Sequence, residues 1–185
     1  QPGITYGELA AELEKTVLWW RAAGLQPGDK IAINARSSAG WAKTFFAAQT
    51  GGFVAVQLFN GFTPEDTMHL VAHSDSRILY TEKSIFEKMD FEAMPQVMGV
   101  LDTKSGELLA ARGDFADIYA QRDAIFAAAL PNGLRAEDVH FQDRPLDELC
   151  ALMYTSGSTG NPKGVMISIR NFSSNIPLIP YHFPY

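Results

Sequence analysis

Residues 28–58 read GDKIAINARSSAGWAKTFFAAQTGGFVAVQL, and the order of their local signals sets the fold. Gly28-Asp29 turns the chain into the apolar run Ile31-Ala32-Ile33. Ser37 or Ser38 then offers a side-chain oxygen to open a helix through Trp41, Phe45 and Phe46. Gly51-Gly52 end that helix, and Phe53-Val54-Ala55-Val56-Gln57-Leu58 follows as a second strand. Strands that are apolar throughout, rather than alternating, must be covered on both faces. That is the situation of parallel strands joined by helical crossovers.

The same alternation extends in both directions. Upstream, Thr5-Tyr6-Gly7-Glu8 forms a capping box, and Leu9, Leu13, Val17 and Trp20 follow at helical spacing, with Trp19 or Trp20 at the edge of the stripe. Gly24 supplies a left-handed cap and Pro27 forbids continuation. Downstream, Thr63-Pro64-Glu65-Asp66 starts a helix that runs through Met68, Leu70 and Val71 to Ser74. A strand at Arg77–Thr81, a short helix around Ile85–Met89 and a strand at Gln96–Leu101 complete a regular part over 1–101. The predicted class is α/β: a doubly wound, mostly parallel sheet flanked by helices. From 102 to 148 the pattern weakens into a connector with one predicted helix, Phe115–Leu130. The tail Ile176–Tyr185, with three prolines among aromatics, reads as an interrupted rather than a finished end.

Composition narrows the function classes. With Lys+Arg 15 against Asp+Glu 21, the formal net charge is -6, and no basic stripe exists to track a nucleic-acid backbone. Any bound polyanion must be held by a local positive site. Cys150 is the only cysteine, which excludes an intrachain disulfide and fits a reducing compartment, so a cytoplasmic location is expected. Within Leu149-Cys150-Ala151-Leu152-Met153 it reads as a small buried hydrophobe rather than a nucleophile. The longest apolar stretch, Phe45 to Phe59, is interrupted by Gln49, Thr50, Gly51, Gly52 and Gln57 and predicts no transmembrane segment.

The chemistry concentrates at 149–170. The apolar strand Leu149–Met153 runs into Tyr154-Thr155-Ser156-Gly157-Ser158-Thr159-Gly160-Asn161-Pro162-Lys163-Gly164-Val165. Glycines let successive backbone N–H groups turn toward an anion, Ser and Thr hydroxyls add donors, and Lys163 adds a mobile positive charge. A loop at the carboxyl end of a buried strand is where open α/β sheets bind ligands. It is not a Walker A loop, because Pro162 precedes the lysine and Gly164 follows it. No G-x-G-x-x-G opens a helix here, which excludes the dinucleotide fingerprint.

This segment resembles the signature loop of the AMP-binding, adenylate-forming superfamily, which includes acyl-CoA synthetases, luciferases and peptide-synthetase adenylation domains. Ile4-Thr5-Tyr6-Gly7-Glu8-Leu9, Gly28–Ile33, Gly52–Val56 and Phe62–Asp66 resemble further parts of that family in the expected order. The resemblance implies a partial N-terminal AMP-binding domain over 1–185 and a two-step ligase. A carboxylate, with a long-chain fatty acid as the first candidate, displaces pyrophosphate from ATP in the presence of Mg²⁺, and CoA takes the acyl group. It implies that Thr155, Ser156, Ser158, Thr159 and Lys163 contact the β- and γ-phosphates through side chains, and Gly157 and Gly160 through backbone N–H groups. The family's adenine pocket, ribose aspartate, metal-binding glutamate and C-terminal lid lysine are expected downstream of Tyr185. No catalytic or metal residue is therefore assigned, and residues 1–185 alone are expected to be inactive.

Two rivals stay open: an amino-acid adenylation domain feeding a carrier protein, and a non-catalytic α/β module that kept the loop. Where the family usually has Ser-His-x-Asn, this chain has Ser168-Ile169-Arg170-Asn171, so the histidine is missing. Arg170 reads as a helix-start arginine rather than a phosphate ligand. His69 and His73 share a helix face at i, i+4 but lack a third ligand or an H-E-x-x-H glutamate, and read as helix-face residues. An uncovered strand edge or apolar face would let the chain self-associate.

Overall fold

A computed structural model of the chain describes residues 3–139, 144–155 and 162–174. Among these residues one sheet holds β1 (Lys30–Asn34), β2 (Val54–Leu58), β3 (Ser76–Thr81), β4 (Gly99–Asp102), β5 (Leu108–Ala111), β6 (Leu149–Thr155) and β7 (Lys163–Ser168). Their order is β5-β4-β3-β1-β2-β6-β7. The inner five run parallel, and β5 and β7 close the two edges antiparallel. The fold is mixed α/β with a mostly parallel sheet, as the uniformly apolar strands predict.

The caps form where the sequence places them. Thr5 and Glu8 make the capping box of α1 (Tyr6–Ala22), and Gly24 adopts φ +90 beyond its end. Of the two candidate serines, Ser38 caps α2 (Ala39–Gly51), its Oγ accepting from the Trp41 amide. Thr63 caps α3 (Pro64–His73), with Pro64 in the first turn. α4 (Lys83–Phe86) is shorter than the predicted segment.

The core lies on both faces of the sheet, because alternate residues of each strand point to opposite sides. Ile31 and Ile33 pack with Trp20, Phe45 and Phe53 under α1 and α2, whereas Ala32 packs with Val56, Leu70, Val71 and Met94 on the α3 side. Both Trp19 and Trp20 are buried, at 3% and 0% exposure, so both belong to the core that the α1 stripe faces.

Residues 102–148 differ most from the sequence reading. Asp102 accepts from the Ser105 amide and hydroxyl, both at 2.7 Å, and Gly106 takes φ +76. This turn folds β5 back on β4 as a hairpin. The single predicted helix is two: α5 (Phe115–Ala120) and α6 (Arg122–Ala129), separated at Gln121. Phe115 of α5 fills the space over Gly99, where a Cβ would come within 2.1 Å of its ring, and Ile125 of α6 packs against the same cluster.

Candidate functional site

β6 carries the signature segment into the carboxyl edge of the parallel sheet. It pairs with β2 in the register Ala55↔Ala151, Val56↔Leu152 and Gln57↔Met153. Cys150 is 1% exposed, its Sγ lies 3.4 Å from the Ile167 carbonyl, and burial pushes its thiol pKa up, so it behaves as the small buried hydrophobe expected.

At the edge, the chain returns antiparallel as β7, with Tyr154 opposite Gly164 and Thr155 opposite Lys163. The sequence reading treats Lys163 as the end of a loop, whereas the structure makes it the first residue of a strand. The antiparallel ladder of β6 and β7 satisfies the backbone of Lys163-Gly164-Val165, a segment with no alternation to betray it. Directly opposed residues of such a pair project to the same face. Thr155 and Lys163 therefore project their side chains from the same face of the hairpin, and both are exposed. Residues 156–162 connect them. Of the proposed phosphate ligands, Ser156, Gly157, Ser158, Thr159 and Gly160 lie outside the described residues.

Gly164 has a packing reason. A Cβ there would come within 3.2 Å of Leu152 and 3.3 Å of the Tyr154 ring, so the missing side chain lets that ring lie across the hairpin. Tyr154 is 5% exposed on the α3 face, and burial first, then the nearby Asp75 charge, raises its pKa. Its hydroxyl sits 2.6 Å from His73 Nδ1. The sequence reading of His73 as an ordinary helix-face residue misses this contact, because nothing local reports an approach between residues 81 apart. Tyr154→Phe should lower the unfolding free energy by about 1 kcal/mol, the usual net contribution of one hydrogen bond. Urea titration of both proteins measures it, and equal midpoints would deny the contact.

The neighbouring strand ends are tied together from within. Asn34, fully buried at the end of β1, donates through Nδ2 to the Phe59 carbonyl at 3.0 Å, and Thr81 Oγ1 donates to Asn34 Oδ1 at 3.4 Å. These bonds join the carboxyl ends of β1, β2 and β3 and give the edge beside β6 a fixed shape. Arg170 pairs with Asp147 at 3.0 Å, in keeping with its reading as a helix-start arginine. Ile169, standing where the family's histidine is usual, opens α7 (Ile169–Ser173) behind the Ser168 cap. Among the described residues no three His, Cys, Asp or Glu side chains group to hold a metal ion, and no helix is long and apolar enough to cross a membrane.

A positive side chain beside a hydroxyl, at the mouth of a glycine-rich connection on the carboxyl edge, has the donor set for phosphate oxygens. The chain is similar to known proteins over nearly its whole length. Acyl-CoA ligase sidI of Aspergillus fumigatus is 29% identical over 181 residues, covering 92% of this chain and 30% of the relative. Feruloyl-CoA synthase of an Amycolatopsis species is 31% identical over 172 residues, covering 93% of this chain and 30% of the relative. The crystal structure of ATP-bound MatB from Rhodopseudomonas palustris superposes with a TM-score of 0.69 at 25% identity, covering 96% of this chain and 32% of MatB. The chain thus spans about three-tenths of the length of these relatives. The family model described as AMP-binding enzyme matches residues 2–184, so the chain belongs to the AMP-binding, adenylate-forming enzymes.

Proposed function

We propose that the whole protein is an ATP-dependent acid–thiol ligase that activates a carboxylic acid as an acyl-adenylate and passes the acyl group to CoA. The observation that carries this reading is the pairing of Thr155 with Lys163 across the β6–β7 hairpin, at the two ends of the signature connection. In the reaction, a carboxylate oxygen attacks the α-phosphorus of ATP. A new P–O bond forms, the α–β phosphoanhydride breaks, and pyrophosphate leaves with the electron pair.

This chain's part is to hold the leaving group. Thr155, Ser156, Ser158 and Thr159 donate hydroxyl hydrogen bonds, Gly157 and Gly160 donate N–H groups, and Lys163 places its charge where negative charge accumulates. Mg²⁺ bound to the nucleotide would supply further neutralisation of the phosphate charge, beside the Lys163 ammonium. A fatty acid, long-chain by the family resemblance, is the substrate we favour, and the cytoplasm is the expected compartment.

The test is ATP–pyrophosphate exchange by the full-length protein with long-chain, short-chain, aromatic and amino acids in turn, followed by product analysis with CoA. Exchange that depends on a fatty acid, with acyl-CoA formed, supports the reading. Exchange restricted to amino acids, or none with any acid, overturns it. Residues 1–185 alone should bind ATP no tighter than about millimolar, because by the family resemblance the adenine and ribose contacts lie outside them and the phosphate contacts alone must offset the cost of association. Micromolar binding in calorimetry would contradict that division of labour.

A further inference from the structure

The hairpin that carries the signature segment has little support from its outer strand. β7 is exposed at every residue from Lys163 to Met166, so neither of its alternating faces is buried there. The anchor is Tyr154, which stands on β6 one pair before Thr155 and Lys163 and directly opposite Gly164. Its ring belongs to the buried cluster of Val56, Leu58, Leu70 and Val71 on the α3 face.

The hydroxyl end of that ring meets His73, the last residue of α3. The phenol oxygen and Nδ1 lie 2.6 Å apart, and the two rings stand edge-on with centroids 5.9 Å apart. Among the described residues this is the one side-chain hydrogen bond between residues 154–165 and a helix. Burial favours the protonated phenol, so the hydroxyl is retained. It donates to a bare Nδ1 and accepts from a protonated one, so the contact holds in either form of the imidazole.

His73 is itself exposed, yet the backbone beneath it is fixed. Ser74 is 3% exposed, its Oγ donates to the Val71 carbonyl at 3.0 Å, and the Ser76 Oγ lies 2.7 Å from it. Asp75 then takes φ +55 and turns the chain directly into β3. The imidazole therefore meets the phenol from a rigid base, at the point where α3 is locked to the sheet.

We infer that His73 is a positioning residue for the leaving-group site: through Tyr154 it fixes the hairpin from which Thr155 and Lys163 project. This role rests on the proposed function, in which Thr155 and Lys163 hold phosphate oxygens. Donors displaced by about 1 Å hold a leaving group poorly, so the anchor governs pyrophosphate without touching it.

The test is calorimetric titration of the full-length protein with pyrophosphate, and separately with AMP, which lacks the leaving group. His73→Ala should weaken pyrophosphate binding about 3- to 10-fold, the worth of one hydrogen bond, and AMP binding by no more than about twofold. His73→Asn, whose amide keeps a polar atom near the place of Nδ1, should restore most of the loss. His69→Ala, on the same helix with its ring 6.2 Å from that of His73, is the control and should stay within about twofold of the wild type. In a Tyr154→Phe background, His73→Ala should cost nothing further, because the shared contact is already gone. Urea midpoints establish that each variant is folded at the titration temperature. Pyrophosphate affinity unchanged in His73→Ala, an equal loss for AMP, a full further loss in the double variant, or no pyrophosphate binding by the wild-type protein overturns the inference. Pyrophosphate exchange by the same wild-type sample separates this role from the ligase reading. Exchange together with His73-independent pyrophosphate binding sinks the positioning role alone. His73-dependent binding without exchange for any acid sinks the ligase reading alone.

Discussion

Trp20→Ala should lower the unfolding free energy by about 3–5 kcal/mol, the range for deleting a large buried aromatic. Trp20 is 0% exposed and seats α1 on the sheet through edge-on contacts with Phe53 at 5.3 Å and Tyr80 at 6.1 Å between ring centroids. Its Nε1 also donates to the Tyr80 hydroxyl at 3.3 Å. Tyr80 is buried, and burial drives its pKa far up, so truncating Trp20 leaves a neutral phenol beside a cavity with one partner fewer. Domains of this size are commonly stable by only about 5–15 kcal/mol, which makes the loss a large share of the whole. Urea unfolding followed by far-ultraviolet circular dichroism measures it. A loss below about 1 kcal/mol would mean that α1 is not seated as described.

Lys163→Ala in the full-length protein should raise the adenylation barrier by about 1–3 kcal/mol, equivalent to a roughly 5- to 150-fold slower pyrophosphate exchange. Lys163 is exposed at the first position of β7, opposite Thr155, so its removal costs the fold little. The effect should therefore appear in exchange kinetics while the urea midpoint stays in place. Lys163→Arg keeps the charge but swaps a compact ammonium for a planar fork, and should recover only part of the rate. Unchanged exchange in Lys163→Ala would remove this residue from the mechanism and leave the hydroxyls and amides of the connection as the only candidates.

Self-association of the chain is a further expectation that the exposed edge sharpens. β7 leaves Val165 at 48% and Met166 at 70% exposure on a strand with an unpaired side among the described residues. Light scattering decides between a monomer and an associating species.

The two ends of the proposed site were legible to different degrees. Thr155 and Lys163 are visible in the sequence because glycine, hydroxyl and lysine together in a short span have few structural uses. Their partnership across a hairpin is not, since Pro162-Lys163-Gly164 carries no alternating pattern and the strand exists only because β6 is there to pair with it. The same holds for His73, whose sequence neighbours describe a helix face while its contact comes from Tyr154. The need for glycine at Gly40 is set only where the start of α2 meets the end of β4, since a Cβ there would fall 1.8 Å from the Thr103 carbonyl oxygen.

What the amino-acid sequence determined alone is therefore local or periodic: capped helices at Thr5, Ser38 and Thr63, uniformly apolar strands and hence parallel pairing, and a phosphate-type donor set after β6. Those follow from backbone sterics, side-chain hydrogen bonds within four residues and the need to bury both faces of a strand. The tertiary structure decided the antiparallel edges β5 and β7 and the break at Gln121. Each of these depends on contacts between residues far apart in the chain, whose free energy no local pattern records.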